Sequence, residues 1–150
     1  MPENCTNGVS DDNDAAVDCE DGECAAAANC TSICANPTTL TLGVPANGNA
    51  TGGTNGTLGS CQVSGGHERI FVFNPTTTAT RTVTLVSATD QGFYVRSTCN
   101  DPGSELFCQD ANLGGTNEVH TVAVTAGTPI IIVVDAFQPG DEGAFTLTIN

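Results

Sequence analysis

The chain has 150 residues, with 17 Asp and Glu against three Arg and no Lys, for a net charge of -14. So acidic a chain is repelled by phosphate backbones and anionic lipid, which argues against nucleic-acid and membrane-surface roles and leaves cations as natural small partners. The length suits one core with a small appendage, and the longest apolar run, "IIIVV" at 130–134, is far too short to cross a bilayer.

The charge is concentrated at the start. Eight of the 17 acids lie in residues 1–24, so an acidic N-terminal element is expected on a nearly neutral body. The opening "MPENCTNG" has neither a basic n-region nor an apolar h-region, so Met1 is expected to begin a mature or trimmed form. The stretch "NGVSDDNDAAVDCEDGEC" at 7–24 is either a solvated acidic spacer or a cradle for a cation. The Ala run of "CAAAANCTSIC" has room for one or two helical turns. Its flanking cysteines favour a stapled knot, too short for a core of its own. Residues 1–34 thus form an acidic Cys-rich arm and 35–150 a separate β domain.

The β domain opens with a short strand, "TLTLGV", and a Gly-, Asn- and Thr-rich loop. "RIFVF" (69–73) is apolar on both parities and is expected to be buried on both sides. "TVTLV" (82–86), "FYVRS" (93–97), "VHTVAV" (119–124) and "AFTLTI" (144–149) alternate with period 2, and "PIIIVV" (129–134) reads as a central strand. On "FYVRS", Phe93 and Val95 point inward. Tyr94 and Arg96 then point outward, as ordinary surface residues or as a small sugar- or protein-binding platform. About eight short strands at this spacing predict an all-β fold, an antiparallel β-sandwich of the jelly-roll kind.

Eight cysteines in so small a chain imply a disulfide framework and an extracellular or periplasmic protein, with a secreted, extracellular one expected. Only Cys30 and Cys34 have knuckle spacing, and no second knuckle completes a zinc site. Cys99 and Cys108 bracket the turn "NDPGS" and are expected to pair across it. Four Asn-x-Thr sequons, beginning at Asn4, Asn29, Asn49 and Asn55, matter only in a glycosylating host.

Catalysis has little support. His67 and His120 are the only histidines, and no nucleophile elbow, zinc-protease helix, phosphate loop or dinucleotide fingerprint occurs. The chain is expected not to be an enzyme.

The body resembles the bacterial pre-peptidase C-terminal domain. The resemblance rests on "YVRS-x-C", the nearby "ELFC", "TAGTPIIIVVD" and the final "GAFTLTI", reaching back through "GSC" to "CANPTTLTLG". It spans about residues 34–150 and implies a β-sandwich that accompanies secreted proteases and cell-surface proteins. It also implies a Cys34–Cys61 bond. That leaves Cys5, Cys19, Cys24 and Cys30 for the arm, most simply as Cys5–Cys19 and Cys24–Cys30.

The arm is similar to an acidic repeat of myxobacterial secreted proteins, N-G-x-D-D-D-x-D-G-x-x-D-C-x-D-x-D-C, which looks like a calcium loop. Ser10 stands where the repeat has Asp, and Ala15 where it has the sharp-turn Gly. In the EF-hand register Ser10, Asp12, Asp14, Asp18 and Asp21 supply side chains and Ala16 its carbonyl, with Asp11 and Asn7 as spare ligands. Ca2+ is the expected ion.

Two functions follow as expectations. One is a calcium-binding structural subunit that self-assembles into a filament or matrix through its N-terminal arm. The other is an accessory module that holds a polysaccharide or extracellular protein for a larger secreted protein.

Overall fold

The computed structural model describes residues 1–14, 16–63 and 65–150. Among them are nine strands: β1 (Thr38–Leu40), β2 (Ala46–Asn49), β3 (Glu68–Phe73), β4 (Ala79–Ser87), β5 (Gln91–Arg96), β6 (Glu105–Gln109), β7 (Glu118–Val124), β8 (Ile130–Ala136) and β9 (Ala144–Ile149). They form two sheets, ordered β1-β3-β8-β5-β6 and β2-β9-β4-β7. All neighbours are antiparallel except β1, which runs parallel to β3.

The expected sandwich is present, and the "PIIIVV" run does form the central strand of the five-stranded sheet. Two strands were hidden in the sequence. β2 is "ANGN", with no β-branched residue, and exists because β9 offers it a partner edge, Ala46 opposite Leu147. β6, "ELFCQ", is held against β5 and only partly buried.

Period-2 alternation builds the core. Phe71 and Phe73, Val83 and Leu85, Phe93 and Val95, Ile132 and Val134, and Phe145, Leu147 and Ile149 all meet between the sheets. Phe71 and Phe145 touch edge to face across the layer, with ring centroids 5.9 Å apart.

The five-stranded sheet is buried on its outer face as well. Cross-strand register arranges that face in rows: Glu68 opposite Asp135, Ile70 opposite Val133 opposite Tyr94, and Ile131 opposite Arg96. Ile70, Val133 and Tyr94 pack with Cys19, Cys24, Cys30, Ile33 and Cys99 in a second apolar cluster. The N-terminal segment therefore lies as a cap on its own sheet. The cap carries 3-10 turns at Asp18–Glu20 and Gly22–Cys24 and a helix, α1 (Ala28–Ile33). The expected knot and the helix coexist, since Cys30 within α1 is stapled to Cys19.

This docking changes every expected disulfide. The bonds are Cys5–Cys24, Cys19–Cys30, Cys34–Cys99 and Cys61–Cys108. Neither Cys99–Cys108 nor Cys34–Cys61 forms, and the arm pairs are exchanged. Nearness in sequence, and for Cys34–Cys61 the family resemblance, misled because the cap folds back. Its final residue, Cys34, reaches Cys99 just beyond β5, with Cα atoms 6.0 Å apart. The 53–63 loop drops over the same face and carries Cys61 to Cys108 on β6. Two glycines permit that descent: a Cβ on Gly56 would lie 2.7 Å from Cys19 Sγ, and one on Gly59 would strike the Tyr94 ring.

Candidate metal site

Carboxylate oxygens of Glu3, Asp12 and Asp21 lie within 4.8 Å of one another in the cap. Three chain segments supply them, and the local disulfides hold two of these together. Cys5–Cys24 brings residues 3–5 beside 21–24, where the Glu3 N–H donates to Glu23 Oε2 at 3.1 Å.

Each member is oriented by backbone donors. Glu3 Oε2 accepts from the Asp11 N–H at 2.8 Å and Oε1 from the Asp18 N–H at 3.1 Å. Asp12 Oδ1 accepts from the Asp14 N–H at 3.1 Å. Asp21 Oδ1 accepts from the Glu23 N–H at 2.6 Å, capping the second 3-10 turn. Asp21 Oδ2 has no partner among the described residues although Asp21 is only 4% exposed. A buried carboxylate oxygen without a donor is costly, and a hard cation beside it removes that cost. Carboxylate oxygens are hard donors of the kind a hard divalent cation takes.

Of the residues expected from sequence, this cluster takes Asp12 and Asp21. Asp18 plays another part. It is buried with a left-handed backbone, φ +46°, and its two oxygens take the N–H groups of Asn7 and Gly8 at 3.3 and 2.8 Å. Burial raises its pKa, opposed by those two N–H groups. Asp11 Oδ2 accepts from Asn7 Nδ2, Ser10 Oγ donates to the Asp14 carbonyl, and Asp14 Oδ1 accepts from the Ala16 N–H. Ala15, the expected sharp-turn position, lies outside the described residues. Glu3 was missed because nothing in the local sequence ties residue 3 to residue 21. The Cys5–Cys24 bond does so, together with the hydrogen bonds Glu3 makes to Asp18 and Glu23.

Tyr94 and Arg96, expected as an outward platform, are both fully buried beneath the cap. Arg96 Nη1 donates to Glu20 Oε1 at 2.6 Å and to the Cys99 carbonyl at 3.3 Å, and Nη2 donates to the Leu58 carbonyl at 2.7 Å. Glu105 Oε2 lies 3.6 Å from Nη2. Burial raises the Glu20 pKa, and the Arg96 charge opposes the rise. The Tyr94 hydroxyl meets Thr57 Oγ1 at 2.7 Å. Its outward parity was read correctly, but what covers that face is another part of the chain.

The histidines are tied locally. His67 Nδ1 lies 2.9 Å from Glu142 Oε1, and His120 stacks on Phe107 at 3.9 Å.

A solved structure supplies the relation. The pre-peptidase C-terminal domain of a collagenase from Bacillus anthracis superposes with a TM-score of 0.54 at 12% identity, covering 77% of this chain and 95% of that one. In fold, the chain is similar to a pre-peptidase C-terminal domain. Lower similarity, at TM-scores of 0.43 and 0.41 and 12% identity each, extends to two further structures. One is the periplasmic g-type lysozyme inhibitor PliG of Aeromonas hydrophila, with 77% of this chain and all of that one covered. The other is a β-glucosidase from Kluyveromyces marxianus, with 55% and 11% covered. Neither a family model nor a curated protein sequence matches the chain.

Proposed function

We propose that the chain is a secreted, non-catalytic accessory module of the pre-peptidase C-terminal type whose N-terminal cap binds calcium. The observation that carries the calcium reading is the buried, unpartnered Asp21 Oδ2 beside Glu3 and Asp12. The fold likeness to the collagenase domain supports the accessory role, and four disulfides suit an oxidising, extracellular setting. A polysaccharide or an extracellular protein is the class of ligand such a module would hold.

Calcium then acts as a clasp. It joins residues 3, 12 and 21, so it ties the acidic loop to the turns that sit on the sheet. A thermal melt with calcium, and again with EDTA, tests this. Stabilisation by calcium that disappears in Asp21→Asn supports the clasp, and identical melts with and without calcium overturn it.

Self-assembly through the arm is the competing role. It would need the cap to act between chains, whereas the cap's apolar side is engaged within its own chain. Sedimentation with and without calcium separates the two. A monomer in both conditions supports the accessory module, and filaments in calcium support the arm as a joint.

A further inference from the structure

The outer face of the five-stranded sheet holds an acidic pair with no counter-charge of its own. Glu68 on β3 and Asp135 on β8 are register partners, 0% and 1% exposed. Glu68 Oε1 accepts from the Gly56 N–H at 2.9 Å. Among the described residues Glu68 Oε2 and Asp135 Oδ1 have no hydrogen-bond partner, although the Thr54 side chain and the Thr57 N–H lie near enough to oppose part of the rise at Glu68. The nearby charges do not resolve this. Arg96, on β5, opposes part of the rise at Asp135, but its hydrogen bonds go to Glu20 and to two carbonyls. Glu20, from the first 3-10 turn, adds further negative potential at Asp135. Tyr94, from β5, is neutral and bonded to Thr57. His67, next in the chain to Glu68, is taken by Glu142.

Two ionised carboxylates in such a place repel each other and lose their hydration, whereas one shared proton neutralises half the charge and supplies the missing donor. We propose that Glu68 and Asp135 hold one proton between them, and that this proton latches the 54–57 loop, and with it the cap, onto the sheet.

The connections are continuous. Thr54 pairs with Glu68 through two backbone hydrogen bonds of 3.2 and 2.8 Å. Gly56 donates to the Glu68 carboxylate, and its carbonyl accepts from the Cys19 N–H at 3.1 Å, inside the cap. Thr57 holds the Tyr94 hydroxyl. Burial pushes the Glu68 carboxyl up to about 7 and raises that of Asp135 well above the usual carboxylate range, the latter also through the Glu68 charge. Loss of the shared proton above neutral pH places a second charge under the loop and loosens Gly56, Thr57 and the cap residues around Cys19.

Tyr94 is the sole tyrosine and the chain has no tryptophan, so its emission reports directly on this layer. In EDTA, wild-type emission is expected to change in one step between pH 6 and 9. Hydrogen-exchange protection of 16–24 and 54–58 should fall by up to about tenfold per pH unit as the pH rises towards the step and level off above it, after correction for intrinsic exchange. Asp135→Asn and Glu68→Gln, which keep a neutral hydrogen-bonding group, should each abolish the step. Should one variant fail to fold, the other and the wild-type profile carry the test. A wild-type profile with no step, or a step that persists in either folded variant, overturns the latch. So does a step that added calcium shifts in Asp21→Asn, because a metal ion would then occupy the pair.

Discussion

Arg96 lies over the ring of Tyr94, two residues back on the same face of β5, with its guanidinium carbon 4.6 Å from the ring centroid. Neither side chain reaches solvent. A fully desolvated guanidinium needs compensation. Its two terminal nitrogens find it in the Glu20 carboxylate and the carbonyls of Leu58 and Cys99, and its plane in the aromatic face, while Nε has no partner among the described residues. These partners come from the sheet, the cap and the covering loop, so one cation joins three segments.

Removing that cation should strand Glu20. Arg96→Met is expected to cost about 3–5 kcal/mol, the range for breaking a buried ion pair from one side. The double variant Arg96→Met with Glu20→Gln should recover much of the loss, because no uncompensated charge remains. Urea midpoints for the two proteins check this; equal loss in both would show that packing, and not charge, dominates.

The disulfide map has its own test. Mass mapping of a non-reduced digest should return Cys34 linked to Cys99 and Cys61 to Cys108. Replacing Cys34 and Cys99 together by Ala opens a loop of sequence separation 65, which the chain-entropy relation values at about 4 kcal/mol. Denaturant unfolding of that variant measures it.

Calcium should stabilise the wild type by about 1–3 kcal/mol at 10 to 100 times its dissociation constant. Glu3→Gln tests the residue that lies outside the acidic run. It should weaken calcium stabilisation about as strongly as Asp21→Asn, whereas Asp14→Asn should leave most of it. Calorimetric titration distinguishes the three.

Stability should also fall with rising pH. Glu68 keeps in the fold a proton that the unfolded chain releases, because burial lifts its carboxyl from 4.5 to about 7. The contribution is complete below about 4.5 and is lost as the pH passes 7. Its size is about 3 kcal/mol by linkage. Urea midpoints at pH 5 and pH 8 measure the fall, and Glu68→Gln should flatten it.

Period-2 patterning made the sandwich legible. Val83 and Leu85, or Phe145, Leu147 and Ile149, announce both their strands and their inward faces. Tyr94 and Arg96 expose the limit of that reading. Parity tells which face a residue takes, not whether another segment later covers that face. The same blindness affected Cys34 and Cys99, whose approach depends on a cap docking over long range. It affected Glu3 as well, which is brought to Asp21 by the Cys5–Cys24 bond and by contacts made after the cap has folded. The acidic run did mark Asp12 and Asp21, two members of the carboxylate cluster, as candidates, because charge density is local information.

Strand placement of the basic residues carries one more consequence. Arg69, Arg81 and Arg96 sit within β3, β4 and β5, and no Lys occurs anywhere. A trypsin-like protease needs a flexible segment that can extend into its active site around a basic residue. In the folded protein each of these arginines lies in a strand, the last at the end of β5 beneath the cap. Partial tryptic digestion should therefore stall until the sandwich opens, which makes resistance to that class of enzyme a property of where three arginines lie.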